Sequence, residues 1–235
     1  MPQASTANTT DNALFKSWRD AAKLIDHTLL KPEATREQVL AICSEALEFG
    51  FATVCVQPCW AALAVAAVRG SAIKVDIPVG FPQGAVLTSV KRFEASELVK
   101  IGAGELDMVL NVGRLKSGDR QYVENDIRGV AEIAHAGGAI LKVILETSLL
   151  SRDEKTLACQ LSLAAGADFV KTATGLLGSA TVEDVVLMRS VVGDRVGVKA
   201  SGGIRSAAEM VAMVRAGANR IGTSAGVKIA RELGA

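Results

Sequence analysis

The chain has 235 residues, with 26 lysines and arginines against 25 aspartates and glutamates, a formal net charge of +1. So even a balance speaks against a polyanionic partner such as nucleic acid. Hydrophobic residues make up 49% and aromatics 4%, so a core must be built from Ala, Val, Leu and Ile, which suits parallel strands buried on both faces. No uninterrupted apolar run reaches the roughly 20 residues of a membrane span. The polar start MPQASTANTTDN has neither the basic nor the apolar region of a secretory signal. Cys43, Cys55, Cys59 and Cys159 form no CxxC pair, and His27 and His135 are the only histidines, so a zinc-type ligand set is not expected. Reduced thiols in a cytoplasmic protein fit this usage.

Residues 1–13 read as a mobile polar tail. No linker-like or low-complexity segment divides residues 14–235, so they are expected to form one domain. A helix over 14–23 opens it. The first strand-like run is LIDHTL (24–29), followed by apolar residues at helical spacing, Val39, Ile42, Cys43, Ala46 and Leu47. The runs FATVCV (51–56) and IKVDIP (73–78) precede a helix over 88–101. ELDMVL (105–110) precedes one over 120–136, and AILKVIL (139–145) one over 152–165. DFVKTA (168–173), RVGVKA (195–200) and NRIGTS (219–224) complete the strands, with helices over 181–192 and 206–216 between them. The turns FGF, IGAGE, AGAD and AGAN each bring a glycine to a helix end, where a left-handed cap is needed. Eight such units predict a closed (β/α)8 TIM barrel with an additional N-terminal helix. The early loops carry no GxGxxG, which counts against a dinucleotide fold.

Polar residues inside buried strands carry the chemical information. Alternation in ELDMVLN puts Leu106, Met108 and Leu110 toward the helices and Glu105, Asp107, Val109 and Asn111 toward the interior. Asp107 is then a carboxylate inside the barrel near its mouth. Lys171 and Lys199 close the sixth and seventh strands, which are neighbours in a barrel. Two adjacent lysines repel and lower each other's pKa, and a lysine so affected is a nucleophile toward carbonyls. Lys142 is a third interior lysine, with Glu146 as its expected counter-charge. The glycine-rich turns ASGGIR (200–205) and IGTSAG (221–226) follow the last two strands, where barrel enzymes often hold phosphate. Gly202, Gly203, Gly222 and Ser224 are the candidates there, and Gly175 in TATG offers a further N–H. His27, beside Asp26, reads as a hydrogen-bonded core histidine. Cys55 faces the interior as a small buried hydrophobe. On these residues alone an isomerase using Asp107 as base, or a phosphosugar-binding protein, stays open beside a Schiff-base enzyme.

Taken together, IDHTLLKP, GFPQG, ELDMVLN, LKVILET, GADFVKTATG, VKASGGIR and RIGTSAG closely resemble the deoxyribose-phosphate aldolases. The match runs from about Leu24 to the last helix. The resemblance implies a metal-independent class I aldolase that needs no cofactor. It would reversibly cleave 2-deoxy-D-ribose 5-phosphate to D-glyceraldehyde 3-phosphate and acetaldehyde. It further implies Lys171 as the Schiff-base lysine, Lys199 as the lysine that lowers its pKa, and Asp107 as the acid/base group working through water. Gly175, Gly202, Gly203, Gly222 and Ser224 would hold the phosphate, and a homodimer is expected. The sequence departs from the family pattern at Ala173 and Ala225, where serines are usual, at Leu176 in place of phenylalanine, and in a shorter loop after Gly175. Some members carry a tyrosine in the C-terminal tail; the only tyrosine here is Tyr122.

Overall fold

Each of the eight apolar runs forms a strand in the computed structural model, which describes residues 14–235; the tail expected over residues 1–13 lies outside the described residues. The strands are β1 (Ile25–Leu29), β2 (Thr53–Val56), β3 (Lys74–Val79), β4 (Glu105–Val109), β5 (Ile140–Ile144), β6 (Phe169–Lys171), β7 (Gly197–Ser201) and β8 (Arg220–Thr223). Every neighbouring pair is parallel, and β1 also pairs with β8, so the sheet closes in sequence order. The helices are α1 (Trp18–Ala22), α2 (Arg36–Phe49), α3 (Ala61–Ala67), α4 (Thr88–Ile101), α5 (Val112–Lys116), α6 (Arg120–Ala136), α7 (Arg152–Ala164), α8 (Val182–Val192), α9 (Ala207–Arg215) and α10 (Gly226–Glu232). The fold is a TIM barrel with α1 ahead of its first strand.

Local sequence accounts for the element ends. Thr35 and Gln38 form a capping box at the start of α2, and Ser151 and Glu154 form another at α7. In each, two orphan N–H groups of the first turn are satisfied reciprocally. Gly50 ends α2 in the left-handed region, as its place in FGF predicts. The opening helix is shorter than the expected 14–23. Ser17 is still extended, at φ −159° and ψ 164°, so helical geometry begins at Trp18. Two helices follow β4 where one was expected, because Asn111 and then Asp119 each cap a new first turn.

The apolar core lies outside the barrel wall, between strands and helices. Leu106, Met108, Leu141, Val143, Val170, Val198, Ala200 and Ile221 point there and join one cluster with helix residues such as Val39, Ile127 and Val185. Alternation then sends the other face of every strand into the barrel.

Candidate active site

The inward face is charged where many such barrels pack branched apolar side chains. Asp26, Asp76, Glu105 and Asp107 meet Lys142, Lys171, Lys199 and Arg220 there, all buried or nearly so. Burying an ion is costly unless it is paired and hydrogen-bonded, and four negative charges here face four positive ones. At the lower end Arg220 reaches Asp26 at 2.6 Å and Glu105 at 3.1 Å. Thr53 donates to the same Asp26 oxygen at 2.8 Å. Lys142 sits one layer higher, 2.7 Å from Glu105, 3.0 Å from Asp76 and 2.8 Å from Asp107.

Asp107 is the hub. Lys142 donates to its Oδ1 at 2.8 Å, while Lys171 at 2.7 Å and Lys199 at 2.6 Å both donate to its Oδ2. The register explains the meeting, since Lys171 lies directly beside Lys199 across β6 and β7, and Asp107 beside Lys142 across β4 and β5. Burial alone would raise the Asp107 pKa, but the three lysines outweigh it and hold the carboxyl well below the usual range. Burial would likewise lower Lys199; Asp107, Asp26 and Asp76 override it and keep that ammonium charged. Asp76 moves the other way, raised by burial and by the negative charge of Asp107 against the pull of Lys142 and Lys199. Among the described residues, two groups of acidic or thiol donors come close enough to ligate a cation, Cys55 with Asp76 and Asp107, and Asp26 with Asp76 and Glu105. The ammonium groups of Lys142 and Lys199 already stand against those oxygens.

Above this cluster, at the carboxyl ends of the strands, opens a cavity of about 440 Å³. Lys171, Gly175, Gly202, Gly203, Gly222 and Ser224 all line it, so the structure brings these candidates to one place. Asp107 and Lys199 lie beneath its floor and are fully buried. A side chain at Gly202 would come within 2.9 Å of the Gly178 carbonyl, and one at Gly222 within 3.1 Å of Lys199 Cε. Gly222 thus makes room for the lysine as well as lining the cavity. The β6 and β7 loops are stitched together: Thr172 Oγ1 donates to the Ser201 carbonyl at 2.9 Å, and Ser201 Oγ to the Ala173 carbonyl at 2.9 Å. A second cavity of about 470 Å³ lies beside α4, lined by Phe81, Val90, Phe93 and Ile101, away from the lysines.

Three sequence expectations change or sharpen here. Glu146 does not pair with Lys142. Lys142 lies deeper and meets Glu105, Asp76 and Asp107, whereas Glu146, just past the end of β5, turns to Thr174 at 2.5 Å. His27 is a core histidine, bonded to Glu45 at 2.6 Å and facing the helices. Cys55 does face the interior, where burial pushes its thiol well up and keeps it protonated. Asp76 and Arg220 escaped notice, although a lone charge in KVDIPV and in RIGT was the same signal that marked Asp107. Thr28, Gln57, Thr174 and Ser201 also line the cavity; uncharged side chains in short strands and turns gave no comparable sign.

A parallel barrel whose interior holds lysines on a shared carboxylate, under a glycine-lined mouth, defines a class of enzyme built for carbonyl chemistry on a small anionic substrate. The model of the DeoC/LacD family aldolases matches residues 21–233, and the chain belongs to that family. A relative in Streptococcus sanguinis named deoxyribose-phosphate aldolase is 56% identical over 208 residues, 88% of this chain and 94% of the relative. One of the same name in Thermococcus gammatolerans is 54% identical over 213 residues, 89% of this chain and 95% of the relative. A structure described as the unique tetrameric structure of deoxyribose phosphate aldolase from Aeropyrum pernix superposes with a TM-score of 0.89 at 35% identity. It covers 98% of this chain and 97% of its own.

Proposed function

We propose that this protein reversibly cleaves 2-deoxy-D-ribose 5-phosphate to D-glyceraldehyde 3-phosphate and acetaldehyde through a Schiff base on Lys171. One observation carries the choice of lysine: among the buried cluster Lys171 lines the cavity, while Lys142 and Lys199 are sealed at 0% exposure. The neutral Lys171 amine adds to C1 of the open-chain sugar, and the adduct loses water to give an iminium. Removal of the C3 hydroxyl proton lets the C2–C3 bond break, its electrons moving into the iminium. D-Glyceraldehyde 3-phosphate leaves, and an enamine stays on the lysine. Protonation at C2 and addition of water then release acetaldehyde and restore Lys171. The iminium is the electron sink, so the step needs no metal or cofactor. Asp107, 2.7 Å from Lys171 Nζ, relays the protons, directly or through water. Lys199 is a fixed cation on the same oxygen, 2.6 Å away. Gly175, Gly202, Gly203, Gly222 and Ser224 take the phosphate, with backbone N–H groups doing most of the binding.

The deciding experiment measures acetaldehyde release from deoxyribose 5-phosphate, with borohydride added to trap the imine as a secondary amine on Lys171. Release without a trapped adduct would mean a different mechanism, such as base catalysis by Asp107.

We further propose a homodimer formed through α4. Val90 and Phe93 on α4, with Leu87 just before it, are exposed, Phe93 to 68% and Leu87 to 69%, and contiguous apolar surface of this kind marks association sites. Light scattering tests this: Phe93→Glu is expected to halve the mass in solution. A cytoplasmic setting is supported by four free cysteines, three of them buried. No helix among the described residues is long and apolar enough to cross a membrane.

A further inference from the structure

Glu146 is the only residue other than glycine with a positive φ among the described residues, at 55° with ψ 63°. Side chains with a β-carbon adopt that region at a cost, and such strain persists where surrounding contacts hold it. The residue is 1% exposed, just past the end of β5 and beside the cavity. Its Oε2 accepts from both Thr174 N at 3.1 Å and Thr174 Oγ1 at 2.5 Å, while Oε1 has no hydrogen-bond partner among the described residues. A buried carboxylate is thus directed entirely at one threonine. Thr174 lines the cavity, and its Oγ1 also accepts from Leu176 N at 3.2 Å, which bends the chain around Gly175. Gly175 in turn packs on the β7 turn, since a β-carbon there would lie 3.6 Å from Gly202 Cα. The near end of this loop is fastened to β7 by Thr172 and Ser201. Two residues on, Glu146 holds the same loop at Thr174.

We infer that Glu146 is a positioning residue, acting through Thr174 to hold the Thr174–Leu176 turn against the sugar phosphate. The left-handed backbone is what turns the carboxylate toward Thr174, away from the lysine cluster that an inward-facing glutamate on β5 would join. The inference rests on the phosphosugar reading of the cavity.

The test compares Glu146→Ala, Glu146→Gln and Glu146→Gly, reading kcat and KM for deoxyribose 5-phosphate and amide hydrogen exchange at residues 174–176. Removing two hydrogen bonds to a charged acceptor is expected to raise KM on the order of tenfold, with kcat changed by less than about threefold. Exchange at 174–176 accelerates in parallel. Glu146→Gln, which keeps an acceptor oxygen, recovers most of both. Glu146→Gly relaxes the backbone but lacks the carboxylate, and is expected to match Glu146→Ala; it also serves should Glu146→Ala fail to fold. Wild-type KM and exchange in Glu146→Gly would overturn the proposal, as would Glu146→Gln behaving like Glu146→Ala or a loss confined to kcat. Were the wild type to release no acetaldehyde and trap no adduct, the functional reading would fall, while the exchange data would still decide whether Glu146 fixes the turn.

Discussion

The floor and the rim of the cavity solve different problems with different atoms. The floor is made of side chains on strands: Asp107, Lys171 and Lys199 on a rigid sheet, with Asp76, Lys142, Glu105 and Arg220 behind them. The rim is made of turns, where Gly202 and Gly203 have positive φ and Gly175, Gly222 and Ser224 line the opening. Chemistry that depends on charge and sub-ångström placement is built from locked side chains. Holding an anion remote from the breaking bond needs only aimed dipoles. A lesion in the floor should therefore cost rate and stability, and one in the rim should cost affinity.

The largest expected effect is at the floor's one opening. Lys171→Ala should lower kcat by about 10³-fold or more and abolish borohydride trapping together, as removal of a covalent route does. Undiminished trapping in that variant would move the nucleophile elsewhere. Lys199→Leu comes next and tests rate and stability at once. It leaves Asp26, Asp76 and Asp107 short of a buried cation, so unfolding in urea should show a loss of about 3–5 kcal/mol. In the folded fraction, imine formation should slow, because Asp107 loses one of the two ammonium groups held on its Oδ2. An unchanged rate of imine formation would remove Lys199 from the mechanism and leave it a structural ion.

The floor should also reveal itself in alkali. Lys142 and Lys199 have folded pKa values raised above the ordinary 10.5 by their carboxylates. The stability they contribute is complete below pH 10.5 and is lost as pH rises from there through the higher folded values. Denaturant midpoints measured on either side of pH 10.5 should fall on the alkaline side, and fall less in Lys199→Leu. At the rim, effects shrink. Gly203 has φ 79°, and a side chain there would meet Ser179 Oγ at 2.7 Å. Gly203→Val should raise KM for the phosphorylated sugar roughly tenfold, at a stability cost of about 1–3 kcal/mol. Equal losses with unphosphorylated deoxyribose would make the turn structural only. The smallest change is Ala225→Ser, which adds one hydroxyl beside Ser224. It should tighten KM a few-fold at most and leave kcat alone, since in the proposed site backbone N–H groups share the anion.

The floor was also far more legible in the sequence than the rim's supports. A charge in an apolar strand is expensive, so the sequence alone marks Asp107, Lys171 and Lys199, and strand order makes the two lysines neighbours. The barrel followed from eight repeats of one pattern. Glu146 is not legible in the sequence because nothing local in LETS marks a left-handed glutamate, and strand alternation carried two residues past the end of β5 points it at Lys142. Asp76 and Arg220 carried the same mark as Asp107 but lie deeper, where pairing through three dimensions decides their role. Ala173 sits where serine is usual, and its side chain is buried while its carbonyl takes the Ser201 hydroxyl; the bond there belongs to the backbone, so a missing hydroxyl at residue 173 leaves that joint intact.

Arg220 joins Asp26 across 194 residues of chain and Glu105 across 115. During synthesis the two carboxylates emerge long before their guanidinium does. A chain ending before β8 lacks that guanidinium and the strand that pairs with β1, although Lys142 and Lys199 already stand against Glu105 and Asp26. Closure therefore waits for the last strand, and contacts of such long range make assembly slow. A fragment that stops before β8 leaves the edge of β1 unpaired and the barrel interior open, and such edges are prone to aggregate.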